Sequence, residues 1–259
     1  MGKITVLLET TRSPITLVGQ MAGVCYGTDT SDAKKNYKRG IDCIESGHHR
    51  VLEYVEVVMV LDGYSARVMR EWYTHIGGAP TRLQASTRYI DYGKFEYVVP
   101  PSIANNNSAS DLYRGTMDLI ASTINRLEIN GFPREDAAML LPLGMTTRVV
   151  DKRNLRNLID MSRQRMCTRA YWEFRELFDD IRVALAQYSE EWAQIVNTQF
   201  APKCKISGFC SEKHGCGLYP TKHPEERHGT PRKVPLEGQT QVEEFEAKWS
   251  THGAESLSS

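Results

Sequence analysis

The sequence predicts an α+β fold, a small and mostly antiparallel sheet with helices packed on it. Three observations predict it. Short apolar, β-rich runs recur along the chain and are bounded by turn residues. Longer stretches carry apolar residues at helical spacing. No internal repeat points to a solenoid or an array.

Residues 4–8 (ITVLL) read as the first strand. Ser13-Pro14 opens a helix to about residue 26, with Ser13 as N-cap and Pro14 at the first position, where a missing N–H costs nothing. Residues 31–46 form a second helix between a Ser31 cap and a Gly47 stop. Residues 55–61 (VEVVMVL) are a strand ending at the turn signal Asp62-Gly63. Residues 65–76 are amphipathic, with Val68, Met69, Trp72, Tyr73 and Ile76 near one face, and Gly77-Gly78 ends them. A strand at 95–99 stops at Pro100-Pro101. A long helix at 111–127 follows, then a short helix at 134–141, a strand at 145–150, and helices at 154–164 and 169–192. After residue 200 the composition changes. The organisation expected is a domain of residues 1–200 and a Cys- and His-containing extension, 201–259, with a helical piece near 242–249 and a mobile polar end.

The 259 residues are 41% hydrophobic and 25% charged, an ordinary globular profile. Lysines and arginines number 32, as do aspartates and glutamates, so no global field steers the chain to a nucleic acid polymer or an acidic membrane. Any anion site must be local. No apolar run approaches the ~20 residues of a membrane span. The N-terminus lacks the parts of a signal peptide. Met1-Gly2 alone suggests myristoylation, but Val6 stands where Ser or Thr is needed. The expected location is the cytoplasm.

One such local site is expected in residues 70–89, where a helix ends at two glycines and Ser86-Thr87-Arg88 follows. Small hydroxyls and free backbone N–H groups beside an arginine hold a phosphate well; the bland alternative is a capped, solvated loop. Of six cysteines, Cys25, Cys43 and Cys167 are scattered. Cys204, Cys210 and Cys216 cluster with His214, and Gly208, Gly215 and Gly217 let the loop wrap an ion. Three thiols and an imidazole suit tetrahedral zinc. The spacing is not the usual pair of Cys-x2-Cys knuckles, so an iron–sulfur site or free thiols stay open, and His223 or His228 could replace His214.

The chain resembles the flavin-dependent thymidylate synthases. That family carries Arg-Gln-Trp, then Arg-His-Arg, seven residues, then Ser-x-Arg-Tyr. Here Arg70-Glu71-Trp72, Thr74-His75-Ile76 and Ser86-Thr87-Arg88-Tyr89 stand in those places. The spacer has nine residues, 77–85, and both arginines flanking His75 are missing. Upstream, Ala22-Gly23-Val24-Cys25-Tyr26 is similar to the family's Ala-Arg-Val-Ser-Tyr. Gly47-His48 with Glu53-Tyr54 is similar to its Gly-His-x-x-x-x-Glu-His. Downstream, Asn154, Arg156, Leu158, Arg165, Trp172 and Glu173 fit a further family pattern, in which Asp160 replaces an asparagine. Leu141-Pro142 also matches, whereas Ala138 stands where an arginine would bind nucleotide.

The resemblance implies methylation of dUMP to dTMP with methylenetetrahydrofolate as carbon donor, FAD as cofactor, NADPH as reductant and a homotetrameric assembly. It places the nucleotide against Arg70, Glu71, Ser86, Thr87, Arg88 and Tyr89. It places the flavin against His48, His75, Gln84, Asn154 and Asp160. Arg165 would sit at the pyrimidine, where a permanent cation stabilises charge building on the ring. Cys167, two residues on, is outside the Pro-Cys-His/Gln setting of the Cys-using synthases and reads as a packed helix cysteine. The departures leave open a relative that modifies another pyrimidine nucleotide or transfers a hydroxymethyl group. They also leave open a non-catalytic nucleotide- or zinc-binding regulatory protein.

Overall fold

The computed structural model describes residues 2–221; the helical piece read at 242–249, His223, His228 and the polar end lie outside the described residues. The chain divides into two compact units. One runs to Ser162 and includes Glu176–Phe200; the other joins Arg163–Arg175 to the residues from Ala201 onward. The sequence assigned Arg163–Arg175 to the main domain, and its grouping with the Cys-rich end is a difference that composition does not reveal.

The first unit is built on β1 (Lys3–Val6), β2 (Glu56–Ser65), β3 (Thr81–Gln84) and β4 (Thr146–Asn154). They form one sheet in the order β1-β2-β4-β3 with every neighbour antiparallel. In β2, Val57, Met59 and Leu61 are buried and alternate with half-exposed residues, the period-2 pattern of a strand with one face on the core. Asp62-Gly63 does not end this strand; a bulge between Asp62 and Tyr64 lets it continue to Ser65. The strand read at 95–99 is reduced to a single bridge, Tyr97 to Met145. Phe95 instead packs into a cluster with Tyr92, Met117, Ile124 and Met145. The sheet edge is taken by β3, from residues read as loop.

The helices are α1 (Pro14–Cys25), α2 (Ala33–Glu45), α3 (Ala66–Trp72), α4 (Pro101–Ala104), α5 (Asn107–Ile129), α6 (Arg134–Ala137), α7 (Leu155–Arg165), α8 (Trp172–Tyr188), α9 (Glu190–Gln199) and α10 (Lys203–Ser207), with a 3₁₀ turn at His49–Tyr54. The cap of α2 is Asp32, whose carboxylate accepts the Lys34 and Lys35 N–H groups at 2.9 and 3.2 Å; Ser31 bonds Asp29 instead. The helix read at 169–192 breaks at Ser189. Its hydroxyl accepts the Trp192 N–H (3.3 Å) and donates to the Arg12 carbonyl (2.8 Å). Among the described residues, no helix is long and apolar enough to cross a membrane.

Candidate functional site

The buried face of β4 anchors the central segment. Thr147, Val149, Asp151 and Arg153 all point inward, so two opposite charges occupy core positions two residues apart. The Arg153 guanidinium donates to both Asp151 carboxylate oxygens at 2.6 Å and to Asn157 Oδ1 at 2.7 Å. It also lies 4.1 Å from the Trp72 ring centroid, while the Trp72 indole N–H donates to Asp151 Oδ1 at 2.9 Å. Trp72, Asp151 and Arg153 are thus one buried, charge-compensated knot that fixes the end of α3 against β4. Sequence reasoning missed Asp151 and Arg153 because charges on a strand read as outward-facing; their shared parity with Val149 was the available signal.

The lengthened spacer starts where α3 ends. α3 stops at Trp72, short of the expected residue 76, and the Thr74 hydroxyl donates to the Glu71 carbonyl (2.7 Å). Gly78 has φ +72°, and a Cβ there would stand 2.2 Å from Asn154 Nδ2. A Cβ on Gly77 would meet Asn157 Nδ2 at 2.8 Å. The two glycines therefore lay bare backbone on two carboxamides. Asn154 also caps α7, its Oδ1 accepting the Asn157 N–H at 2.9 Å. His75 is half-buried nearby in sequence, whereas Ile76 is 70% exposed.

Beyond the glycines, β3 holds Arg82, which donates to the Tyr73 carbonyl (2.8 Å) and covers the Tyr73 ring at 4.4 Å. Gln84 Nε2 donates to Thr147 Oγ1 at 3.3 Å. The Ser86 hydroxyl accepts the Arg88 N–H (3.2 Å), which folds Ser86-Thr87-Arg88 into a hydroxyl turn. Arg88 is exposed over the Tyr89 ring at 5.2 Å, and Tyr89 is 73% exposed. Arg134 donates to the Tyr89 carbonyl at 3.0 Å and pairs with Glu128 at 3.4 Å. This cation borders the loop one turn before Ala138, and sequence reasoning did not single it out. On α3, Arg70 is exposed and Glu71 half-buried.

A cavity of 540 Å³ brings three separated motifs together. Ala22, Cys25 and Tyr26 line it from α1, Gly47 and His48 from the turn after α2, and Arg156 from α7. Arg156 is fixed by Glu53 (2.6 Å), which Arg50 also approaches at 3.7 Å. Cys43 also borders the cavity, where burial, and next Asp42, push its thiol pKa up, so it resists ionisation. Of the expected flavin contacts, only His48 lines this cavity; Asn154 lies under Gly78, Gln84 on β3, and Asp160 on the exposed side of α7.

In the second unit, Arg165 is half-buried with its guanidinium 4.8 Å from the centroid of the buried Phe174 ring. Arg169 joins the two stretches of this unit through Glu212 (3.2 Å) and the His214 carbonyl (3.3 Å). Cys210 is buried, Cys204 and Cys216 are half-buried and His214 is exposed. Among the described residues, no group of three or more His, Cys, Asp or Glu side chains stands close enough as placed to hold a metal ion. The expected set of Cys204, Cys210, Cys216 and His214 is therefore not assembled as such.

An α+β core with a hydroxyl–arginine turn on its surface and a ligand-sized cavity beside α1 and α7 is the class these features define. The family model for the thymidylate synthase complementing protein matches residues 6–188. A flavin-dependent thymidylate synthase of Nitratidesulfovibrio vulgaris is 30% identical over 189 residues, covering 69% of this chain and 75% of the relative. One of Clostridium tetani is 29% identical over 70% of this chain and 81% of its own length. One of Pyrococcus furiosus is 29% identical over 64% and 69%. The chain belongs to the thymidylate synthase complementing protein family.

Proposed function

We propose that the chain methylates dUMP at C5 to give dTMP, with methylenetetrahydrofolate as carbon donor and NADPH as reductant. The observation that carries this reading is the cavity where residues 22–26, the Gly47-His48 turn and Arg156 converge, three motifs far apart in sequence. Its 540 Å³ lies within the range of cofactor-sized pockets. Its lining offers two imidazoles, two guanidiniums and small residues, a donor set that fits the flat, polar-edged ring system of FAD. Reduced FAD supplies the hydride when bound.

The chain's own residues do the rest. The Ser86 and Thr87 hydroxyls and the Arg88 guanidinium hold the nucleotide phosphate, with Arg134, itself paired with Glu128, bracing the loop at the Tyr89 carbonyl. Arg70, Glu71 and Tyr89 complete the nucleotide's surroundings. Arg165 presents a planar, delocalised cation, which orients the pyrimidine and stabilises negative charge on its carbonyl edge. Its contact with the Phe174 ring, 4.8 Å from the centroid, helps hold the guanidinium in place. His75, Gln84, Asn154 and Asp160 stand as further cofactor contacts. The assembly expected is a cytoplasmic homotetramer, supported by the exposed Leu112 and Leu119, one heptad apart on α5.

A second reading has one specific observation behind it. At the His75 triplet, the Thr74 hydroxyl is committed to Glu71 and Ile76 faces solvent, so the cations the family places there have no counterpart. This favours a relative acting on another pyrimidine nucleotide or transferring a hydroxymethyl group.

The test uses purified, FAD-reconstituted protein. Flavin bound, with dTMP formed from dUMP, methylenetetrahydrofolate and NADPH, is the expected result. Arg165→Ala should keep the flavin and lose dUMP-dependent flavin oxidation. Flavin bound with no dTMP, but turnover on dCMP, supports the second reading. Protein that takes up no FAD refutes both.

A further inference from the structure

We propose that Asn157 is a cofactor-binding residue whose Nδ2 donates a hydrogen bond, beside Gly77, to a carbonyl on the pyrimidine edge of the flavin ring. Its role rests on the flavin reading above and adds a residue that the resemblance does not assign.

Asn157 stands in the first turn of α7 and is 8% exposed. Its Oδ1 accepts the Arg153 guanidinium at 2.7 Å, and its backbone N–H donates to Asn154 Oδ1 at 2.9 Å. A carboxamide accepts at its oxygen and donates from its nitrogen, so these bonds decide which end of each side chain faces where. The Nδ2 of Asn157 is turned to Gly77, where a Cβ would stand 2.8 Å from it. The Nδ2 of Asn154 is turned to Gly78 in the same way. Neither nitrogen has an acceptor among the described residues, and neither is sealed from solvent. The turn itself offers none: it closes through the Ala79 N–H on the Ile76 carbonyl (3.1 Å), with Gly78 and Ala79 both at left-handed φ, +72° and +50°. A donor on a side chain this buried is costly to leave unmatched, so the pair is built for an acceptor from outside the chain.

The donor sense is also locked. Turning the Asn157 carboxamide over would set its nitrogen against Arg153, whose guanidinium is held by both Asp151 oxygens at 2.6 Å and covered by Trp72 at 4.1 Å. A neutral donor that cannot flip selects a carbonyl oxygen. Flavin and uracil both carry carbonyls flanking a ring N–H, and the neighbours favour the flavin. Arg156, between the two asparagines in sequence, lines the cavity given to the cofactor, and His75 precedes Gly77 by two residues. A hydrogen bond to a ring carbonyl strengthens as the ring gains negative charge, so Asn157 favours the reduced cofactor.

Two full-length variants test this. Asn157→Asp keeps an oxygen for Arg153 and replaces the donor by an acceptor. Gly77→Ala leaves Asn157 intact and sets a methyl group against its Nδ2, at a residue whose φ is not left-handed. Fluorescence titration of flavin-stripped protein should give a Kd for FAD raised about 5- to 150-fold in both. At saturating FAD, the visible absorption band of the bound flavin should move and its midpoint potential become more negative, with KM for dUMP little altered. Where Asn157→Asp fails to fold by circular dichroism, Gly77→Ala decides. Wild type that binds FAD, with affinity, band and potential unchanged in the variants, overturns the role of Asn157 alone. Weakened affinity with band and potential unchanged also overturns it, because the residue then only supports the turn. A raised KM for dUMP with the flavin unaffected moves the donor to the nucleotide and overturns it too. Wild type that binds no FAD overturns it together with the flavin reading.

Discussion

Replacing Arg153 by leucine removes one half of a fully buried ion pair. Both side chains are 0% exposed, and of the three hydrogen bonds that Asp151 accepts from Arg153 and Trp72, the one from the Trp72 indole N–H would remain. Breaking a buried pair by removing one partner costs about 3–5 kcal/mol. For a protein of this size, about 2–4 °C is lost per kcal/mol, so the melting temperature should fall by about 6–20 °C. The double variant Asp151→Leu/Arg153→Leu removes the stranded charge as well. The Asn157 contact is lost in both variants, so beyond the single change the double one removes only the acceptor of the Trp72 N–H, about 1–3 kcal/mol, against the about 3–5 kcal/mol of the stranded charge, and it should melt above the single variant. Differential scanning calorimetry at matched protein concentration measures both. A single variant within about 1 kcal/mol of wild type, or a double variant that melts below the single one, refutes the claim that this pair is charge-compensated in the core.

Gly78→Ala should cost about 1–2 kcal/mol from the positive φ alone. It also pushes a methyl group onto Asn154, so FAD content on purification should fall; unchanged melting and flavin content would contradict the role given to this glycine. Arg88→Ala removes a charge-assisted contact worth about 1.5–3 kcal/mol, so steady-state kinetics should show KM for the nucleotide raised about 10- to 150-fold with kcat little altered; an unchanged KM would move the phosphate elsewhere.

Local signals carried much of this fold. Ser13-Pro14 opens α1, and the apolar alternation of β2 is written in consecutive residues. What was hidden depends on distant partners. β3 reads Thr-Arg-Leu-Gln, without an apolar face, and becomes a strand only because Arg82 and Leu83 pair with Asp151 and Val150. Residues 95–99 have strand composition, but the ring of Phe95 is used in a cluster with Met117 and Ile124. The hydroxyl turn at Ser86 was legible because its parts are adjacent. The cavity was not, since His48 and Arg156 meet only after α1, α2 and α7 are in place. Asp32 took the cap expected of Ser31 because Asp29 engages that serine first.

The division of the chain has a consequence for its synthesis. The chain leaves the first unit at Ser162, returns at Glu176 and leaves again after Phe200. Arg163–Arg175 therefore emerges from the ribosome before the residues it groups with, and at about 5–20 residues per second the wait is on the order of seconds. A nascent chain stopped at Phe200 has every strand of the sheet yet lacks Glu212 and the His214 carbonyl, the groups Arg169 binds. Arg165 would be present in such a product on a segment with the larger part of its unit missing. The residues from Ala201 onward are thus the later-made part of a discontinuous unit, and their synthesis, rather than folding of the sheet, sets when the Arg165 segment acquires its companions.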